Sequence, residues 1–309
     1  MLRITVILLL FVGRSAYAQS LPLLDAIRHN DIAEVKRLLD NGADINVKNE
    51  DVDYVLMYAS LYSTVDCMNL LLQKGADVNA ANKIGETALM WSVNDLQKTK
   101  LLLENKADIS LRTEFGNNAL LIACVGAMQG EIIRILLGKG ADALAKNKDS
   151  ATTLMRVALY GDTATARLLL NKGVNINSRN EVSETALMYA VRSVNKEMIY
   201  WLLDNGADAT IKDAYKAVPL AYAPVANDPE IIKSLLKHIK DINQQDVDGM
   251  TLLMWATYNE ADNPEIIQML LDAGSDLTLK DKKGATALAW ALKKGNTKTV
   301  ALLKKAGAK

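Results

Sequence analysis

The sequence predicts an all-α solenoid of about nine helix–turn–helix units, and three observations carry that expectation. A six-residue pattern returns as Thr87-Ala88-Leu89-Met90-Trp91-Ser92, Thr185-Ala186-Leu187-Met188-Tyr189-Ala190, Thr251-Leu252-Leu253-Met254-Trp255-Ala256 and Thr286-Ala287-Leu288-Ala289-Trp290-Ala291. Its spacing of about 33 residues is a period of stacked helical arrays. A second pattern closes the units, as in Leu38-Leu39-Asp40-Asn41-Gly42-Ala43-Asp44, Leu71-Leu72-Gln73-Lys74-Gly75-Ala76-Asp77 and Leu202-Leu203-Asp204-Asn205-Gly206-Ala207-Asp208. Lastly, the apolar residues within a unit recur at helical spacing, as at Val35, Leu38 and Leu39, or Ile267, Leu270 and Leu271.

The chain opens on a different kind of segment. Arg3 precedes an apolar run from Ile4 to Val12, and Ala16-Tyr17-Ala18 follows with the small residues of a cleavage site. This reads as a secretory signal peptide, residues 1–18, cut after Ala18. Nine apolar residues are too few to span roughly 30 Å of hydrocarbon. No later segment resembles a membrane span, so no membrane insertion is expected after cleavage. The 309 residues carry 36 basic and 36 acidic side chains, and losing Arg3 and Arg14 leaves 34 against 36. Such a balance argues against nucleic acid as a partner, which requires a basic face.

The units open near Leu21, Tyr54, Thr87, Asn118, Thr152, Thr185, Val218, Thr251 and Thr286 and fill residues 19–309. Each opening Thr can cap its first helix by accepting a backbone N–H. The Leu two places on and the Ala three beyond it share one helical face, where the small Ala permits close approach. The Gly after the second helix suits a left-handed helix end. Lys106 and Ile239 stand in that Gly position, and a β-branched Ile there predicts a different helix ending. The unit opening at Thr87 is short between its helices, and the one opening at Thr251 is long, at residues 259–264. The seventh unit carries Pro219, Pro224 and Pro229.

These motifs resemble the ankyrin repeat family, whose units open on T-P-L-H-x-A and close on L-L-x-x-G-A-D before a short I/V-N segment. The resemblance implies an ankyrin-repeat solenoid with short β-hairpin fingers joining the units. It also implies a protein-binding module, and a concave groove lined by the first helices. The family's His in the opening motif is Met here, at Met57, Met90, Met155, Met188 and Met254. Met substitutes apolar, adaptable packing for hydrogen bonding between units. Met-for-His repeats behind an export signal resemble bacterial members, which implies a periplasmic location.

With the first-helix Leu at zero degrees, the residue two places on lies near 200°, away from the core. Down the array this stripe reads Tyr58, Trp91, Ile122, Arg156, Tyr189, Tyr222, Trp255 and Trp290. One turn further the same side offers Tyr62 and Tyr160, with Tyr258 close by. Trp and Tyr combine large contact area with a polar tip, as binding surfaces do, although the same rings could simply stack on their counterparts in neighbouring units. The finger positions form a second surface: Glu50, Asp51, Asp53, Glu86 and Glu114 early on, then Ala214, Tyr215, Val247 and Met250. The last unit turns basic, at Lys282, Lys283, Lys293, Lys294 and Lys298, as a polar cap on a terminal repeat would. The candidate partner-binding residues are therefore Tyr58, Tyr62, Trp91, Tyr160, Tyr189, Tyr215, Tyr222, Trp255, Tyr258 and Trp290, with the five acidic finger residues.

Catalytic and metal chemistry is not expected. His29 and His238 are the two histidines and lie about six repeats apart, neither near a Cys. No Gly-rich phosphate loop or G-x-S-x-G appears, and the repeated Asp of Gly-Ala-Asp reads as a turn cap. No cofactor is expected. Cys67 and Cys124 fall two repeats apart in register, about 20 Å at 8–10 Å per stacked helix. A disulfide requires Cα atoms within about 7 Å, so two buried free thiols are expected. The function expected is non-enzymatic docking of a protein partner by a monomer outside the cytoplasm. An immunity protein against a periplasm-acting toxin is one candidate role. A scaffold supporting an oxidative-stress enzyme is the alternative, and a hydrolase a weaker one.

Overall fold

The computed structural model describes residues 22–46, 54–126, 129–258 and 262–309. The expected signal segment and the finger residues Glu50, Asp51 and Asp53 lie outside them. The described residues fold into eighteen α-helices, two per repeat. These are α1 Pro22–Arg28 and α2 Ile32–Asp40, α3 Val55–Tyr62 and α4 Val65–Gln73, α5 Ala88–Ser92 and α6 Leu96–Glu104, α7 Ala119–Ala123 and α8 Gly130–Gly138, α9 Thr153–Tyr160 and α10 Thr163–Asn171, α11 Ala186–Arg192 and α12 Lys196–Asp204, α13 Pro219–Ala226 and α14 Pro229–Leu236, α15 Leu252–Tyr258 and α16 Pro264–Asp272, and α17 Ala287–Lys294 and α18 Thr297–Lys305.

The chain divides into two compact units, one reaching Ala123 and including Glu131–Asp142, the other comprising Cys124–Gly130 and Ala143–Lys309. In the first, α1, α3, α5 and α7 pack in series, with α2, α4 and α6 as a second row behind them. In the second, α9, α11, α13, α15 and α17 form one row and α10, α12, α14, α16 and α18 the other. The core lies between rows. Leu56, Leu89 and Leu120 fill it in the first unit, and Leu154, Leu187, Leu220 and Leu253 in the second. Removing such a side chain from water contributes about 2 kcal/mol.

Four of the five opening Thr residues act as the capping rule predicts, and Thr185, whose hydroxyl makes no cap bond, does not. Thr87, Thr152, Thr251 and Thr286 each accept the backbone N–H three residues on. In two units the substituted Met completes the exchange, because the Thr152 and Thr251 amides approach the sulfurs of Met155 and Met254 at 3.5 Å. Sulfur thus occupies the acceptor role that Glu or Gln plays in a capping box. All five of these methionines are buried.

Where the sequence departs from its pattern, the backbone answers locally. Lys106 adopts φ +65°, the left-handed conformation that Gly75 takes at the matching place with φ +93°. Ile239 escapes it: α14 stops at Leu236, and Ile239 N–H reaches the Leu236 carbonyl in a tight turn. Pro219 and Pro229 each sit at the first position of a helix, where the missing N–H costs nothing. Only Pro224 is interior, and α13 ends at Asn227 with φ +51°.

Among the described residues the fingers are tight turns rather than β-ladders. Antiparallel bridges join Ala81 to Thr87 and Lys146 to Thr152. Successive fingers are tied tip to tip by backbone bonds, Glu114 N–H to Ile84 O in the first unit, and Glu181 to Asp149, Ala214 to Val182, Val247 to Tyr215 and Lys282 to Asp248 in the second. Cys67 and Cys124 are both buried and unpaired. Burial pushes the Cys124 thiol up to about 12 and raises that of Cys67 as well.

Candidate functional site

The repeated Asp of the helix-end motif is structural. Asp77 accepts the Asn79 amide, Asp208 that of Thr210 and Asp276 that of Thr278. The following Asn reaches the next repeat: Asn46 accepts the Asp77 N–H, Asn79 that of Asp108, Asn177 that of Asp208 and Asn243 that of Asp276. The hydroxyls of Ser110, Thr210 and Thr278, and then their amides, hold Asp108, Asp208 and Asp276 below the usual carboxylate range.

The stripe aromatics are half-buried, and in the second unit their polar tips are engaged inside the protein. Each bonds to a finger residue nine positions earlier. Asp246 accepts the Asp248 and Met250 amides on one oxygen, at 2.8 and 2.9 Å, and Trp255 Nε1–H on the other, at 2.8 Å. Asp281 does the same for Lys283, Ala285 and, at 3.0 Å, Trp290 Nε1–H. Asp213 holds Tyr215 and Ala217 amides and the Tyr222 hydroxyl. Asn180 differs: its Oδ1 accepts Val182 and Glu184 amides, while its Nδ2 donates to Tyr189 Oη at 3.1 Å.

The pairing follows donor chemistry. A carboxylate only accepts, so it suits an indole N–H; an amide NH₂ donates and needs a phenol oxygen. Burial works against ionising Asp281, but the Ala285 amide, Trp290 and the Lys283 amide outweigh it and keep its pKa low. Burial, followed by the bond to Asp213, raises Tyr222 above the ordinary phenol range. Arg192 completes this part of the face. It ion-pairs with buried Glu184 and lies 5.1 Å from the Tyr189 ring and 5.5 Å from that of Tyr222.

A different set of aromatics is left open. Tyr62, Tyr160 and Tyr258 are 41%, 50% and 40% exposed, and Tyr215 at a fingertip is 57% exposed. In the first unit Tyr62 packs against Tyr58 at 4.7 Å with the rings tilted by 47°, while Trp91 is half-buried in α5. Glu86 is half-buried and accepts from Asn82 Nδ2, and Glu114 is exposed at its fingertip. Ile122 and Arg156, the non-aromatic stripe positions, are half-buried, and burial lowers the Arg156 pKa. The last repeats hold the densest cluster. Trp255 meets Tyr258 edge-on at 5.8 Å, and Tyr258 meets Trp290 edge-on at 5.2 Å. Lys293 Nζ sits 4.7 Å over Trp290 and Lys294 Nζ 4.0 Å over Tyr258.

The sequence did not single out Asn180, Asp213, Asp246, Asp281 or Arg192. The signal was present as a polar Asx five residues before Thr185, Val218, Thr251 and Thr286, as in Asp246…Thr251…Trp255 and Asp281…Thr286…Trp290. Among the described residues, no group of three or more His, Cys, Asp or Glu side chains is placed to hold a metal ion. A cavity of about 30 Å³ beneath the seventh repeat, lined by Leu220, Gln244, Met250 and Trp255, is an order of magnitude below small-molecule sites. No helix among the described residues is long and apolar enough to cross a membrane.

Paired helices stacked in rows, with fingers clamped to the first helices, define an interaction scaffold of repeated units. The sequence pattern of "Ankyrin repeats (3 copies)" matches residues 23–113, 94–180, 120–213 and 220–309, and the chain belongs to the ankyrin repeat family. Repeats of this family typically bind protein partners and are generally non-catalytic. A curated relative, human transient receptor potential cation channel subfamily A member 1, is 31% identical over 141 residues. The match covers 45% of this chain and about a tenth of the channel's length.

Proposed function

We propose that this chain is a non-enzymatic docking module that seats a protein partner on its first helices and fingers. One observation carries the proposal: the face divides its aromatics in two. Tyr189, Tyr222, Trp255 and Trp290 brace the fingers through their polar tips. In the same unit Tyr160 and Tyr258, one turn on from the stripe, remain open at 50% and 40% exposure. Tyr258 shares its helix with Trp255 and so stands on a braced element, and an exposed aromatic held in that way is a rigid anchor of the sort that dominates interface energetics.

The role proposed is occlusion of a periplasm-acting toxin by an exported monomer, with residues 1–18 supplying the export signal. Support scaffolding of an oxidative-stress enzyme uses the same face and is the alternative. Panning a displayed library of folded domains against the purified chain yields binders that test the docking itself. Tyr160→Ala/Tyr258→Ala should weaken them by about a hundredfold, two anchors' worth at roughly 1–2 kcal/mol each. Binders unaffected by that variant, with the fold intact by circular dichroism, would move the site off this face.

A further inference from the structure

The last repeat differs from the rest of its unit in charge. Lys280–Lys309 carries nine lysines against a single acid, Asp281, a surplus of eight. Residues 143–279 carry 13 basic against 18 acidic side chains, a deficit of five. Asp281 has both oxygens hydrogen-bonded to the finger amides and the Trp290 indole, and its single charge, felt by Lys283, leaves the other lysines in surplus. Among the described residues, none of Lys282, Lys283, Lys293, Lys304 and Lys305 forms an ion pair with a carboxylate.

Four of the lysines frame an aromatic surface. Lys282 and Lys283 are exposed on the finger whose Asp281 holds Trp290. Lys293 and Lys294 close the last turn of α17 and lie over the Trp290 and Tyr258 rings. Trp290 thus stands between a basic fingertip and a basic helix end, with Tyr258 edge-on beside it and Trp255 edge-on to Tyr258 in turn. The indole N–H groups of Trp255 and Trp290 are already bonded, so what the aromatics offer a ligand is apolar ring surface.

We infer that this surface takes a short acidic segment of a partner protein, carboxylates against Lys282, Lys283, Lys293 and Lys294 and an apolar side chain against Tyr258 and Trp290. The inference rests on the protein-docking proposal and names the partner's chemistry. Charge complementarity of this kind sets orientation and encounter rate. The patch is confined to one repeat and borders a net acidic stretch, which disfavours a long polyanion that must track many cations. It equally disfavours a membrane, whose anionic surface extends in every direction.

The test is fluorescence anisotropy with a short labelled peptide of repeated Glu-Glu-Leu, at low and physiological salt, on the full chain. Binding should be salt-sensitive and weaken about tenfold or more in Lys282→Gln/Lys283→Gln/Lys293→Gln/Lys294→Gln. Tyr258→Ala should weaken it too, and Lys139→Gln/Lys172→Gln, which lowers net charge elsewhere, should not. Circular dichroism checks that each variant is folded. No binding, or equal binding by the four-lysine variant, overturns the inference. So does tighter binding to a single-stranded oligonucleotide or to phosphatidylglycerol vesicles, or salt-sensitive self-association by sedimentation, which would make a second copy the occupant. Loss in Tyr258→Ala with no change in the lysine variant sinks the charge inference alone and leaves the docking proposal standing.

Discussion

Exchanging one oxygen of Asp281 for an amide nitrogen tests the brace at its smallest scale. In Asp281→Asn the Oδ1 must stay on the finger amides, so the NH₂ faces the Trp290 N–H and two donors meet. The expected loss is about 1–2 kcal/mol, falling to a few tenths in a Trp290→Phe background, as read by a double-mutant cycle in urea. The sign with pH follows from the lowered pKa of Asp281. Its contribution is full above the unfolded value near about 4 and is lost as pH falls through the lower folded value. Asp281→Asn should therefore flatten part of the acid limb of the stability profile. The thiols give a second residue-scale outcome: with burial raising both, Cys67 and Cys124 should resist a thiol reagent at pH near 8 until the protein is unfolded. Rapid labelling of the native chain would contradict their burial. Lys106→Gly, which relieves a φ of +65°, should stabilise by about 1 kcal/mol.

Elements were the most legible level of the sequence, because a Thr cap, a Leu–Ala face and a closing Gly are local and recur in most of the units. Even the irregular places resolved by local rules: Ile239 could not take positive φ, so α14 ended early. The fingers were less legible. Their expected hairpins are turns, and what orders them is contact between one finger and the next, some thirty residues apart in sequence. That contact makes two glycines unequal. A Cβ on Gly85 would lie 2.7 Å from the Arg112 carbonyl oxygen of the next finger, whereas one on Gly284 meets nothing within 4 Å. Both have φ near +80°. Gly284→Ala should cost about 1 kcal/mol from backbone strain alone, and Gly85→Ala at least about 1 kcal/mol more, read as a shift of the urea midpoint. Equal costs would mean that the fingers do not stack as described.

For the molecule as a whole, the candidate face was visible in the sequence but its division of labour was not. Helical geometry placed Trp255 and Tyr258 on one side; it could not tell that the first braces a finger while the second stays open, because the difference lies in Asp246, nine residues away. The basic end was equally visible as composition, and only the stacking of Lys293 and Lys294 on aromatic rings turns it into a shaped surface. The claim that the fingers and first helices form the docking face has one most direct measurement, hydrogen exchange by mass spectrometry with and without a selected protein binder. New protection should concentrate in the finger turns around residues 213–217, 246–250 and 281–285 and in the first helices behind them. Protection confined to the second helices, α10, α12, α14 and α16, would contradict it.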